Sequence, residues 1–173
     1  MFILEGNIGV GKSTFLKLLK KSYSEIETVQ EPLENWTSEI HGESILNNFY
    51  KNPHRWSYTV ENMIMISRSK YHIKQQNKQN KMSIMERSIY SGHYCFALYG
   101  KEAGYFSKLE WSIYKEWATF FLKKKCQLPL GFIYLRSNPE TCLSRVKKRD
   151  RKVEDGFPTN YVKSIHNKHE DFL

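Results

Sequence analysis

Long apolar runs are missing from this 173-residue chain. No stretch approaches the ~20 residues that span a bilayer. In Met1-Phe2-Ile3-Leu4-Glu5-Gly6, Glu5 ends the opening apolar segment too soon for a signal peptide. Neither a membrane span nor secretion is expected, and a cytoplasmic location is. Cysteine is scarce: Cys95, Cys126 and Cys142 are an odd number at long spacings, with no CxxC. That pattern argues for reduced thiols, against a disulfide framework and against a zinc site. Five prolines and nine glycines exclude collagen-like and low-complexity classes. No repeat and no Gly/Ser/Pro-rich linker divides the sequence, so one domain over 1–173 is expected. Acidic residues also fall short, 18 against 27 basic, for a net charge of +9. Such a charge suits anionic partners, nucleic acid or nucleotide phosphates. What is present is apolar: 40% hydrophobic and 14% aromatic residues. That content excludes disorder and is enough to build a core.

Apolar runs alternate with helical periodicity. The pattern predicts strands over 2–5, 28–31, 82–86 and 131–136. It predicts helices over 13–21, roughly 56–77, 105–125, 139 to about 151, and 159–172. Strands separated by long helices define an α/β fold with a mainly parallel sheet.

The segment Gly6-Asn7-Ile8-Gly9-Val10-Gly11-Lys12-Ser13-Thr14 contains GxxxxGK[ST]. It follows a predicted strand and opens a predicted helix, the context this phosphate-binding motif requires. Glycines let backbone N–H groups converge on phosphate oxygens, and the helix N-terminus adds its positive end. Lys12 reaches the terminal phosphates, and the Ser13 hydroxyl can hold Mg²⁺. The motif predicts binding of a nucleoside triphosphate and leaves the phosphoryl acceptor open.

Two further strands end in chemistry: Glu31-Pro32, and Glu86-Arg87-Ser88. Open α/β sheets place ligands at the carboxyl edge of their strands, so these groups should converge beside the phosphate loop. One carboxylate there can orient a hydroxyl nucleophile and take its proton. A second can hold Mg²⁺, and an arginine can offset charge on the transferred group. The basic cluster Arg145, Lys147, Lys148, Arg149, Arg151 and Lys152 follows the fourth strand. Arg145 and Arg149 are four apart and share a helical face. In this position the cluster reads as a lid over donor phosphates, at about 145–156, rather than as a nucleic-acid patch.

With these residues in place, the chain resembles the deoxyribonucleoside kinase family, the group of deoxycytidine, deoxyguanosine and mitochondrial thymidine kinases and the insect multisubstrate enzyme. GNIGVGKST (6–14), EPLENW (31–36), YKNPHRWSYTVENMIMISR (50–68), ERSIYSGHYCF (86–96), YLRSNPETCLSRVKKRDRKVE (134–154) and HNKHEDFL (166–173) carry the resemblance in family order. It implies a P-loop kinase with a three-layer α/β/α architecture and a sheet of four strands, or five. The implied reaction moves the γ-phosphoryl of ATP, or another nucleoside triphosphate, to the 5′-hydroxyl of a deoxyribonucleoside, with Mg²⁺. Glu31 would be the base, ionised at pH 7 at an ordinary Glu pKa of ~4.3. Arg87 would bind the 5′-oxygen or the moving phosphate, and Glu86 would assist the metal. Tyr50 and Glu154 would hold the 3′-hydroxyl, and Trp36 and Phe96 would wall the base. Arg145, Arg149 and Arg151 would form the lid. A homodimer through the long helices is implied, with Trp111, Tyr114, Trp117, Phe120 and Phe121 as a candidate stripe.

The sequence departs from the family at two places. Glu61 stands where a Gln usually reads the base. An ionised carboxylate only accepts hydrogen bonds, which suits a guanine edge, whereas a protonated one mimics Gln. Arg68, seven residues on, could pair with Glu61 or donate to a base oxygen. Gly92 replaces an Asp of deoxycytidine kinases and is closer to the small residue of thymidine-accepting relatives. Second, relatives continue past 166–173 into a fifth strand, so donor choice is open. Two rival readings are a nucleoside monophosphate (thymidylate-like) kinase and a non-catalytic nucleotide-binding protein of the same fold. His166, His169 and Glu170 have metal-like spacing but read as a packed helix face.

Overall fold

The computed structural model describes residues 1–39, 41–78, 82–149 and 159–173, with nothing of the Thr159 side chain. Four parallel strands form one sheet in the order β2-β3-β1-β4: β1 (Phe2–Gly6), β2 (Glu27–Val29), β3 (Ser83–Glu86) and β4 (Gly131–Leu135). Phe2 lies opposite Ile84 of β3 and Gly131 of β4, so β1 is paired on both sides. A central parallel strand covered on both faces should be apolar throughout, and Ile3 and Leu4 are fully buried.

Helix α1 (Lys12–Ser22) covers one face, where Leu16 packs with Leu4 and Ile84. The opposite face, holding Ile3, Val29 and Met85, meets Tyr71 of α4 (Pro53–Gln76). Two short helices, α2 (Glu34–Thr37) and α3 (Ile45–Lys51), lead into α4. A helical stretch over 89–102 comprises α5 (Ile89–Ser91), a π-helical segment Gly92–Ala97 and α6 (Leu98–Glu102). α7 (Lys108–Phe120) continues into a second π segment, Phe121–Lys125. A second core joins Met65 of α4, Ile89 and Tyr90 of α5, and Tyr114 and Ala118 of α7. α8 (Pro139–Arg149) and α9 (Thr159–Phe172) follow β4.

The α/β fold with a parallel sheet stands as expected, with four strands among the described residues. β2 ends at Val29, two residues short of expectation, and Glu31 lies in the loop beyond it. α4 begins earlier than expected because Asn52 accepts a hydrogen bond from Arg55 N at 3.2 Å and Pro53 takes the first turn. α7 starts at Lys108 rather than 105, because Ser107 and Glu110 form a reciprocal capping box. No helix among the described residues is long and apolar enough to cross a membrane.

Candidate functional site

At the carboxyl edge of the sheet, β1 runs into the phosphate loop. Gly6, Gly9 and Gly11 all have positive φ. A Cβ at Gly6 would strike the Leu135 carbonyl, and one at Gly9 would strike that of Cys142. These glycines therefore let the loop pack directly on β4 and α8. α1 opens at Gly11 with no side-chain cap, so its first N–H groups are left for an anion. Lys12 Nζ donates to the carbonyls of Gly6 (3.0 Å) and Asn7 (2.9 Å). Burial, then Arg87, lowers the Lys12 ammonium to about 7. Ser13 Oγ donates to both carboxylate oxygens of Glu86, at 3.1 and 3.2 Å.

Beside the loop lies an open cleft. Glu31 is its electrostatic centre. Arg68 donates to Glu31 Oε1 through Nε (3.0 Å) and Nη2 (2.5 Å), and Arg87 Nε stands 3.5 Å from Oε2. Burial alone would raise the Glu31 carboxyl, but Arg68 and then Arg87 outweigh it and hold it below the ordinary value. Arg87 adopts φ +62°, a left-handed conformation that an L-residue pays to hold. Its Nη1 is buried without a hydrogen-bond partner among the described residues. Phe96 lies under both guanidiniums, 4.7 Å from Arg87 and 5.5 Å from Arg68, and Trp36 is 5.7 Å from Arg68.

The cleft brings together most of the residues singled out in the sequence. Ile8, Gly9, Lys12, Ser13, Glu31, Trp36, Tyr50, Glu61, Arg68, Glu86, Arg87, Phe96 and Arg149 line it. Others serve the frame around it. The Asn7 side chain donates to Val162 O (2.9 Å) and so ties the loop to α9. Val10 packs against Cys142 and Val162, and Thr14 is exposed on α1. Arg145 Nη1 donates to Val10 O at 2.9 Å, gripping the loop from α8. Arg151, Glu154 and the rest of the expected lid beyond Arg149 fall outside the described residues.

Arg68 pairs with Glu31 rather than with Glu61. Seven residues are two helical turns, about 10 Å along the axis, and Glu31 lies within direct reach. Glu61 stays buried, with Oε2 unpartnered among the described residues. Burial raises its carboxyl to about 7, with Arg68 opposing. The expected aromatic stripe divides: Tyr114 is buried, Trp111 and Phe121 pack on the core, and Trp117 and Phe120 are exposed. His169 hydrogen-bonds Ile165 O and is fully buried against Tyr134, while Glu170 pairs with Arg136.

Sequence reasoning missed Glu5 and Ser88. Glu5 is fully buried on the face of β1 that carries Ile3, and its Oε1 accepts from Ser88 Oγ at 2.6 Å. Burial raises the Glu5 carboxyl against the pull of Arg87, Ser88, Ser91 and Arg68. Ser88 also caps α5, accepting from Ser91 N. The signal available was period-two alternation, which puts Glu5 and Ile3 on one covered face.

A phosphate loop opening α1, a Ser–carboxylate pair beside it and an arginine-held carboxylate in the adjoining cleft define a P-loop phosphotransferase. The sequence model of the family "dNK: Deoxynucleoside kinase" matches residues 2–173. Deoxycytidine kinase 2 of Gallus gallus is 35% identical over 191 residues, covering 98% of this chain and 72% of that protein. Deoxycytidine kinase 1 of Xenopus laevis is 36% identical, covering 98% and 72%. Mitochondrial deoxyguanosine kinase of the same species is 35% identical, covering 98% and 71%. The chain belongs to the deoxynucleoside kinase family, whose reaction is phosphoryl transfer to a deoxynucleoside.

Proposed function

We propose that the chain transfers the γ-phosphoryl of ATP, or another nucleoside triphosphate, to the 5′-hydroxyl of a deoxyribonucleoside, with Glu31 as the base. The observation that carries this is the buried Glu31 carboxylate, held by Arg68 and Arg87 in one cleft with Lys12. Glu31 accepts the hydrogen bond of the 5′-hydroxyl and so aims its oxygen at the donor. A carboxylate kept below its ordinary pKa is a weak base, so the proton moves late, as a loose phosphoryl-transfer transition state allows. The unpartnered Arg87 Nη1 meets charge on the group in flight. Lys12 and the free N–H groups of α1 hold the donor phosphates, which restore the Lys12 proton by their charge. Arg145 and Arg149 of α8 hold the donor phosphates, and Arg151, outside the described residues, is assigned the same role. Trp36 and Phe96 flank the base, and Tyr50 and Glu154 take the 3′-hydroxyl.

The Ser13 hydroxyl and Glu86 carboxylate are a pair of hard oxygen donors side by side, and they fit Mg²⁺. Ser13 and Glu86 would hold the ion there, and it would offset charge on the donor phosphates. Exposed Trp117 and Phe120 on α7 and Ile66 on α4 suit a homodimer seam; Trp117→Glu should shift the sedimentation coefficient to that of a monomer, and an unchanged value rejects the seam.

Glu31→Gln tests the base. It keeps the shape, and should cost about 10²–10⁴ in kcat while triphosphate binding persists. Turnover within tenfold of wild type would reject the role.

A further inference from the structure

Among the described residues three carboxyl groups line the cleft, and two of them have partners. Glu31 is held by two arginines, and Glu86 accepts from Ser13. Glu61 is only 5% exposed, yet its Oε2 has no hydrogen-bond partner among the described residues. A carboxyl oxygen buried without a partner among the described residues, on a side chain that lines a ligand cleft, leaves room for a partner on the ligand. Arg68 does not supply it. Its Nε and Nη2 go to Glu31 and its Nη1 to Ser88 O at 3.4 Å, so it acts on Glu61 only through its field. Gly92 makes room for that arrangement, since a Cβ there would lie 2.9 Å from Arg68 Nη1.

We propose that Glu61 selects the base by its own protonation state: the carboxylate takes guanine-type edges, and the neutral acid takes thymine-type edges. The inference rests on the nucleoside placement proposed above. A guanine edge offers two adjacent donors, an N1–H and an amino N–H, and a carboxylate offers only acceptors. A thymine edge sets carbonyl oxygens on both sides of its N3–H. Against a carboxylate that brings oxygen onto oxygen, whereas a protonated carboxyl donates to O4 and accepts from N3–H.

The surroundings leave this proton free to change near neutrality. Burial raises the Glu61 carboxyl to about 7. The groups facing it are Arg68 on its own helix, Tyr114 on α7 and Tyr161 on α9. Burial keeps both phenols well above 10, so neither titrates below pH 9. Among the described residues, the other charged groups of the cleft belong to the phosphate loop, the β2 and β3 ends and α8: Lys12, Glu31, Glu86, Arg87 and Arg149. Lys12 titrates at about 7 as well, but it serves every acceptor alike and cancels from a ratio of two substrates.

The test measures kcat/KM for deoxyguanosine and for thymidine, with Mg·ATP, from pH 6.5 to 8.5. The ratio of carboxylate to acid changes tenfold per pH unit. The deoxyguanosine-to-thymidine ratio should therefore rise about 100-fold over that range in the wild type and stay flat in Glu61→Gln. Calorimetry in buffers of different ionisation enthalpy gives a second reading: thymidine binding at pH 8 takes up a proton, and deoxyguanosine binding at pH 6 releases one. A flat wild-type ratio, a slope kept in Glu61→Gln, or no proton exchange overturns the proposal while deoxynucleoside turnover stands. Absence of turnover with any deoxynucleoside overturns both this and the reading beneath it.

Discussion

Replacing Arg68 with Met isolates what holds the Glu31 carboxylate. Arg68 contributes two N–H bonds to Glu31 Oε1, and both side chains are under 10% exposed. After the change only Arg87 remains, with Nε at 3.5 Å. An opposing charge within ~4–6 Å lowers a carboxyl by about 1–3 units, so its loss should raise Glu31 by that amount. The sign for activity follows: Glu31 works as the ion, so the acid limb of kcat/KM moves to higher pH in Arg68→Met. The range below pH 6.5 is informative because Lys12 is then charged and Glu61 protonated, each titrating at about 7. The sign for stability is the same. A carboxyl held low contributes above its unfolded value and loses that contribution as pH falls through the folded one. Breaking one partner from a buried pair costs about 3–5 kcal/mol. With Arg87 retained, the lower end applies, and about 3 kcal/mol lowers Tm by about 6–12 °C in a chain this size. Kinetics carried below pH 4.5, where the wild-type Glu31 limb lies, and calorimetric melting read both effects. An acid limb that stays within about half a unit of wild type would show that Arg68 does not set the charge of Glu31.

Gly9→Ala must force a φ of +78° on an L-residue and push its methyl into the Cys142 carbonyl and Val146 of α8. Stability should fall by about 1–3 kcal/mol, and KM for ATP should rise more than KM for the nucleoside, because Arg145 loses its hold on Val10 O; unchanged melting and unchanged KM values would refute the packing argument. Glu61→Gln should remove a pH dependence of folding. The carboxyl stands at about 7 in the folded chain against 4.5 ordinarily, so its contribution is full below pH 4.5 and is lost as pH rises through 7, a fall of about 3 kcal/mol. Urea titrations at pH 5 and pH 8 should show that fall in the wild type and not in the variant; equal falls in both would place the titration elsewhere.

How far the sequence could be read depended on whether a residue's role was set by its neighbours in the chain. The phosphate loop was legible because strand, glycines, Lys12 and helix lie within one segment, and the parallel sheet because the apolar runs β1, β3 and β4 are separated by long helical patterns. The partner of Arg68 was not legible. Spacing along α4 offered Glu61, but Glu31, 37 residues away in sequence, is the group that the crossing of α4 over the sheet edge delivers. The role of Glu5 was not legible for a related reason. The apolar run marks a strand over 2–5, but nothing in it shows what would hold a fully buried acid at its end. Burying an acid there is affordable only because Ser88 donates to it and two arginines stand near. Each of those groups comes from another element, and only the assembled sheet brings them to it. The same holds for Glu61, whose missing partner became visible only once Arg68 was seen to be engaged elsewhere. Charges in this cleft take their roles from one another, so local sequence locates the cleft and the tertiary fold assigns the pairs within it.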